Sequence, residues 1–561
     1  MAKPNLMRNG ANATIARTPL IKTNRSVFPV NFSRKQTIKA SYLYPIFFQE
    51  TIPGDTWDIK LTQFTRIAPQ VTAPMDNLWY NFYFFYYPNR IVWDNFIRQH
   101  GHRDNPDDTI DYITPTITSE TGFAAKSIYD YMGGIRCGQA GTKVSALPFR
   151  AYNLIWNEYF RASQIQDSVT VNKSDTDDSE ETYKLLKANK LHDYFTDQLP
   201  TITAGGESVT LPLGTSAPVI GTGTALGLTD GTKTYGLGRG QNDLNAWTGD
   251  VNVTIGSHTH TGDLPSQQST LGLSTDSTKS GLKADLSNAV AATIEAMRLA
   301  IDTQELLERD NRSGARYTEL MYGRYKTVLP DLMLYRPQLV GSMSIPVFTT
   351  PVVQTSGTGT TGQNTPQGNV AGMGVSSSSG NVIRISCGEF GGIIGLATIR
   401  AIPQYQQGLD KKYTRFERYD YFYPEFMALA DQAVKKSEIY LQADTVVDAD
   451  TGEKENEKVM GYIGRFDELR YFKNEICGEF RSDYTYTMDS WHYAENFENA
   501  PELNSEFIED DTVDVLKRSL AVQTNLDESD AEQFLCDFLF TGSVVRGIPT
   551  KAIPQTGGRL L

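Results

Sequence analysis

Histidine and cysteine are scarce: six and four, respectively, in 561 residues. Cys137, Cys387, Cys477 and Cys536 lie far apart and form no CxxC pair, which argues against a disulfide framework or a zinc site and leaves buried free thiols as the expectation. His258 and His260 would fall within metal-ligand reach of each other if their segment is a strand. No third ligand is near them in sequence, so solvated loop histidines are expected and no metal. Walker A loops, a GxGxxG after a strand, HExxH and GxSxG are all missing, which removes the commonest nucleotide-binding, metallopeptidase and serine-hydrolase signatures and leaves no cofactor to expect. No apolar run is long enough to span a bilayer, and the first residues lack a signal-peptide core. The expectation is a soluble chain made in the cytoplasm, not an integral membrane protein.

The first 49 residues lack acids altogether. They carry Lys3, Arg8, Arg17, Lys22, Arg25, Arg34, Lys35 and Lys39, and the first carboxylate is Glu50. The whole chain has net charge −14, so the remaining residues hold 44 basic against 66 acidic groups, or −22. A cationic arm attached to an acidic body is a physical route to nucleic acid, because spaced Lys and Arg neutralise phosphates and release counterions without reading sequence. The eight cations are the candidate DNA-binding residues. After Asp537 the chain again has no acid and carries Arg546, Lys551 and Arg559.

Two acidic groupings have plainer readings. Asp175 to Glu181 is expected to be a solvated face. The stretch from Asp448 to Gly452 opens like an EF-hand loop, but Gly452 stands where a ligand is needed and Glu453 at the usual glycine, so a hairpin turn is expected.

What is abundant is turn residues and aromatics, with 46 Gly, 25 Pro, 29 Tyr and 26 Phe, a composition that leans towards β structure. The arm shows no helical period and is expected to be extended or ordered by contact. Tyr42 to Phe48 reads as a strand, Pro53 to Asp55 as a turn and Trp57 to Phe64 as a second strand. Leu78 to Tyr87 is so aromatic that it is expected to be buried on both faces. Tyr83, Phe84, Phe85 and Tyr86 could stack bases, but core is the stronger reading. Phe149, Tyr152, Trp156 and Tyr159 give one helical face, and Leu286, Val290, Ile294, Met297 and Ile301 another, with a helix running to about Arg309. Gly392 to Ile399 reads as a buried strand. Thr203 to Lys283 shifts to Gly, Thr and Ser and is read as an insertion, whose aliphatics (Val219, Ile220, Leu226, Leu228, Val251, Val253, Ile255) suggest short strands. Thr355 to Gly380 is read as a smaller low-complexity loop.

Taken in order, several motifs resemble the major capsid protein of microviruses, specifically the gokushovirus branch of these small phages. They begin with Ser41 to Glu50 followed by Pro53-Gly-Asp55, then Pro74 to Leu78, Phe84-Phe85, Pro88-Asn-Arg90 and Trp93 to Phe96. Lys143 to Tyr152 with Ile155 to Glu158, His192 to Phe195, Leu307 to Tyr317, Thr365 to Asn369, Tyr405 to Gly408 and Tyr423 to Phe426 follow collinearly. The resemblance is weakest in the insertion and in parts of the C-terminal third, where Gly461 to Phe466 follows the pattern loosely.

The resemblance implies a mainly β, eight-stranded jelly-roll β-sandwich of viral capsid type, with long inter-strand loops, a few helices and a large insertion. Its expected divisions are a basic, interior-facing arm (1–40), a first part of the shell domain (41–202), an insertion forming a surface protrusion at the threefold axis (203–283), and the rest of the shell domain with a basic tail (284–561). It implies a non-enzymatic virion protein, assembled in the bacterial cytoplasm into a T=1 icosahedral shell around a circular single-stranded DNA genome. The implied partners are further copies of the chain, trimeric at the protrusion, a small basic internal DNA-binding protein, a scaffolding protein and a host surface receptor. The alternative from another class is a β-rich carbohydrate-active enzyme or adhesin.

Overall fold

The computed structural model describes residues 25–206, 209, 219–221, 226–229, 234–237, 272–273, 282–284, 294–328, 330–331, 335–353, 359–360, 363–364, 370–429, 431–448, 451–521 and 532–550. Two compact units divide the chain, one of residues 1–202 with 310–561 and one of residues 203–309.

The larger unit is built on eight antiparallel strands: β1 (Ser26–Ile38), β2 (Tyr44–Thr51), β3 (Thr56–Ile67), β4 (Leu78–Pro88), β5 (Gln338–Val353), β6 (Val370–Ser386), β7 (Gly391–Ala401) and β8 (Phe534–Arg546). They are hydrogen-bonded in the order β1-β8-β3-β6-β5-β4-β7-β2. Strand β5 is the corner. Its residues up to Val347 pair with β4, and from Phe348 onwards they pair with β6. Two four-stranded sheets result, β1-β8-β3-β6 and β2-β7-β4-β5, the interleaved order of an eight-stranded jelly roll.

Alternation explains the sandwich. Trp57, Ile59, Leu61 and Ile67 of β3 and Phe534, Phe538, Phe540 and Val544 of β8 face Phe47 of β2 and Tyr80, Phe82 and Phe84 of β4. Ring pairs close the gap between the sheets, with centroids 4.9 Å apart for Phe47 and Phe540 and 6.1 Å for Phe82 and Phe538. Gly395 of β7 is needed here, since a Cβ on it would lie 2.6 Å from the Phe84 ring. The β2–β3 turn is tight: Asp55 accepts from the Ile52 amide at 3.1 Å, and Gly54 takes the left-handed conformation at φ 90°.

The outer face of β2-β7-β4-β5 is covered by the excursion after β4. Phe85, Tyr87, Ile394 and Leu396 form a second core with Trp93, with α1 (Ile128–Met132), with α2 (Leu147–Ile155) and with Trp156. Helix α2 passes into a π turn at Trp156–Phe160. This second core is why β4 and β7 are buried on both faces, as the aromatic run predicts, and it leaves no stacking platform for bases in Tyr83 to Tyr86. A third cluster packs Tyr194 and Phe195 of the excursion after β4 with Val434, Ile439 and Phe507 of the excursion after β7.

Two sequence readings change and a third holds in part. The last third of the cationic stretch is a sheet strand, β1, whose partly buried Phe28, Val30 and Phe32 pack against the first core, so the boundary at residue 40 does not separate an arm from the shell. The end of the loop read at Thr355 to Gly380, from Val370, is strand β6. Its glycines serve close packing, since a Cβ on Gly374 would lie 2.1 Å from Ile67 Cδ1. The acids from Asp175 are largely the exposed face expected, with Asp178 the exception. Asp178 pairs with Arg150 at 2.7 Å in the interior, Asp175 accepts from Trp93 Nε1 at 2.6 Å, and Asp177 accepts from the Thr116 hydroxyl at 2.7 Å. At Asp448 the turn is as expected: the Gly452 amide donates to the Asp448 carbonyl at 2.9 Å and Val447 bridges Lys454.

The smaller unit contains short strands at Val219–Gly221, Leu226–Thr229, Thr234–Leu237, Gly272–Leu273 and Leu282–Ala284. Helix α3 (Ile294–Ser313) begins in this unit. It runs four residues past the expected end, and Ile294, Met297 and Ile301 of the anticipated apolar face are exposed. Leu286, Val290, Val251, Val253, Ile255, His258 and His260 lie outside the described residues.

Candidate nucleic-acid interface

While one sheet is covered, the other face of the sandwich, β1-β8-β3-β6, presents alternating side chains outwards. Directly paired residues share a face in an antiparallel sheet, so the register defines rows across it. Lys35, Asp537, Phe64 and Ser377 form one row. Ser33, Leu539, Thr62 and Ser379 form the next, and Asn31, Thr541, Lys60 and Asn381 the third. Arg66 and Leu535 extend the face at one end, Asp58 and Arg384 at the other.

The chemistry of this face differs from that of the acidic body. Hydroxyls and amides dominate, with Thr62 and Ser379 bonded at 2.7 Å. Asp58 is bonded to Asn381 at 2.9 Å and ion-paired with Arg384 at 3.2 Å. Lys35, Lys60 and Arg66 therefore face only one other acid of the rows, Asp537. Between these cations Phe64 stands 47% exposed. A cleft of about 690 Å³ opens at this edge, and Arg34, Lys35, Phe64, Arg66, Lys126 and Asp537 are among its lining residues. Lys126 is ion-paired with Glu532 at 3.1 Å. Cations spaced over a polar face neutralise phosphates without base contacts, and an exposed ring offers a sequence-tolerant stacking surface.

The structure sorts the candidate cations. Lys3, Arg8, Arg17 and Lys22 lie outside the described residues. Arg25 donates to the Gly54 carbonyl and, at 3.2 Å, to Thr56 Oγ1. Arg34 points inwards and donates to the carbonyls of Tyr131 and Met132 at the end of α1, where burial pushes its guanidinium down to about 10 against the pull of Asp130. Lys39 is half-buried and has contacts of its own within the chain. Lys35 alone of the described four stands on the open face. At the other terminus Arg546 is held by Asp55 at 3.0 Å and lies 5.0 Å over the Trp57 ring, while Lys551 and Arg559 are outside the described residues. Sequence reasoning missed Lys60, Arg66 and Arg384; the polar positions of the alternating strand from Trp57 were the signal for the first two.

Cys387 and Cys536 are buried as expected, and burial pushes their thiols up to about 12 and about 11. Cys477 is instead exposed, on an excursion surface, and Cys137 is intermediate. No group of metal-ligating side chains occurs among the described residues, and none of their helices is long and apolar enough to cross a membrane.

A family profile described as capsid protein (F protein) matches residues 16–556. The chain belongs to that family. It is 38% identical to capsid protein VP1 of Bdellovibrio phage phiMH2K over 97% of this chain and 98% of the relative. The VP1 of Chlamydia phage 1 is 33% identical, covering 98% of both chains, and that of Spiroplasma virus 4 is 27% identical over 97% and 98%. The jelly roll, the family and the gokushovirus-type relatives agree: this is a structural major capsid protein of the virion, which assembles with copies of itself. Nothing supports the carbohydrate-active enzyme or adhesin.

Proposed function

We propose that this capsid subunit tiles a T=1 icosahedral shell around a circular single-stranded DNA genome, with the open face of β1-β8-β3-β6 and the cationic residues preceding β1 turned towards the DNA. The observation that carries this reading is the juxtaposition of Lys35, Lys60 and Arg66 around exposed Phe64 on a hydroxyl-rich sheet, in a chain whose charge is otherwise strongly negative. The contacts are sequence-independent, as a coat that covers every part of a genome requires.

A small basic internal protein shares the neutralisation, and a scaffolding protein guides closure. The Gly/Thr/Ser insertion forms the protrusion at the threefold axis, where three copies meet and the host surface is contacted. Its separation as a compact unit and the exposed Ile294, Met297 and Ile301 of α3 support that role. Assembly takes place in the bacterial cytoplasm.

The test is the salt dependence of single-stranded DNA binding by the purified subunit. Replacing Lys60 and Arg66 by Gln removes two phosphate contacts, which at a slope of about 0.7 per cation makes the plot of log affinity against log salt shallower by about 1.4. An unchanged slope refutes the assignment of this face.

A further inference from the structure

Exposed aromatic side chains are distributed unevenly. Among the described residues, nine of sixteen fall between Tyr413 and Tyr486, in the excursion after β7. Five of the nine, Tyr413, Phe416, Tyr419, Tyr421 and Phe422, occupy one ten-residue segment made of short 3-10 turns, and Phe472 lies on a second segment. Phe416 is 84% and Phe472 91% exposed, so the described residues offer these rings little to pack on.

The two segments are fastened together. Arg415 pairs with Glu468 at 3.0 Å, with both side chains largely buried, and Lys412 pairs with Glu475 at 2.5 Å. Phe422 meets Phe466 edge-on at 5.1 Å. A capping box in which Asp420 accepts from the Phe416 and Glu417 amides, at 2.9 and 2.8 Å, fixes the turn that carries Phe416. The rings are therefore held outwards by a built scaffold, and preorganised aromatics of this kind bind with little loss of conformational entropy.

We propose that this aromatic ledge is a subunit–subunit contact of the shell, occupied by a second copy of this chain. The proposal rests on the shell reading and adds to it the surface that does the assembling. Two features of the molecule favour a second copy over another partner. The family is one of capsid proteins, whose closure requires several interfaces on every subunit. The area also suits: with each ring offering on the order of 100–200 Å², the ledge approaches the ~800 Å² per partner of a stable protein interface. Tyr and Phe at its centre, with Lys411, Glu417, Arg418 and Glu425 interspersed, give the apolar core and polar rim of such a contact.

The experiment uses the full chain, in cells producing the complete particle. In a Cys477→Ser background, Phe472→Cys is introduced and treated with a maleimide, first as dissociated subunits and then as intact shells. The expected result is at least about tenfold slower labelling in shells, and equal labelling of the two forms overturns the proposal. In parallel, Phe416→Ser with Phe472→Ser is expected to lower the yield of shells at least about tenfold, while the soluble subunit keeps the near-ultraviolet circular dichroism of the parent. Normal shell yield from the double variant also overturns it. Absence of shells from the parent chain would instead sink the shell reading, so the two failures are told apart.

Discussion

Arg150 is the most consequential charged residue of the covered side. Its side chain is 0% and that of its partner Asp178 3% exposed. Its Nε and Nη2 reach the two oxygens of Asp178 at 2.7 and 3.0 Å. Nη1 donates to the Ser174 carbonyl at 2.9 Å, and Nη2 also donates to the Thr176 carbonyl at 3.0 Å. Tyr183 and Asn172 donate to Asp178 at 2.7 Å each. One guanidinium thus pins an otherwise irregular strap of chain onto α2 and the second core. Arg150→Met keeps much of the aliphatic volume but strands the carboxylate and two carbonyls, and removing one partner of a buried pair costs about 3–5 kcal/mol. The assay is urea unfolding of the unassembled subunit. Replacing Asp178 by Leu as well removes the uncompensated charge, and the double variant is expected to be more stable than Arg150→Met alone by roughly 0.5–3 kcal/mol. A cost below about 1 kcal/mol would refute the argument.

Other outcomes follow from the same packing. Gly395→Val drives a side chain into Phe84 and is expected to cost at least about 1–3 kcal/mol, read as a lower urea midpoint. Burial, with a hydrogen bond donated to the Asp514 carboxylate, pushes the Asp511 carboxyl up to about 7, so its contribution is present below the unfolded value near ~4 and is lost as pH rises through 7. Asp511→Asn is expected to flatten that part of the stability profile, and an unchanged slope would contradict it. With an aromatic disulfide reagent, Cys477 is expected to react in the native subunit while Cys387 and Cys536 wait for unfolding; early reaction of either buried thiol would contradict their placement. Deleting residues 2–24 is expected to leave the subunit folded and its particles poorer in DNA, whereas extending the deletion to residue 39 removes β1 and is expected to abolish the fold. Full DNA content after the shorter deletion would count against the cationic segment.

Strands announced by aromatics or strict alternation were legible: β2, β3, β4 and β7 are where the residues put them. β1 was obscured because its cations mask the period of two carried by Phe28, Val30 and Phe32. Phe534, Cys536, Phe538 and Phe540 of β8 show the same alternation. β6 carries almost no such signal, because Gly372, Gly374 and a run of serines fill positions where neighbouring backbone or Ile67 leaves no room or solvent covers the face. Of the candidate site, Lys35 was legible as charge. Its grouping with Lys60 and Arg66 was not, because β1 and β3 do not pair with each other and are brought side by side only by β8, from the other end of the chain.

The unequal treatment of the two sheets joins these results. The excursion after β4 contributes Trp93, Phe149, Tyr152 and Trp156 to cover β2-β7-β4-β5, so that sheet is aromatic on both faces and has no surface to offer. Among the described residues the sheet β1-β8-β3-β6 has no such cover, and its outward residues are mainly hydroxyls, amides and charged groups, with Phe64, Leu535 and Leu539 the apolar exceptions. A shell subunit needs both kinds of surface: apolar ones for its copies and a hydrated, weakly cationic one for a polyanion packed without sequence register. In the proposed reading the first lies on ion-paired loops and the second on a sheet, whose backbone ladder holds the cations of β1 and β3 at fixed spacing.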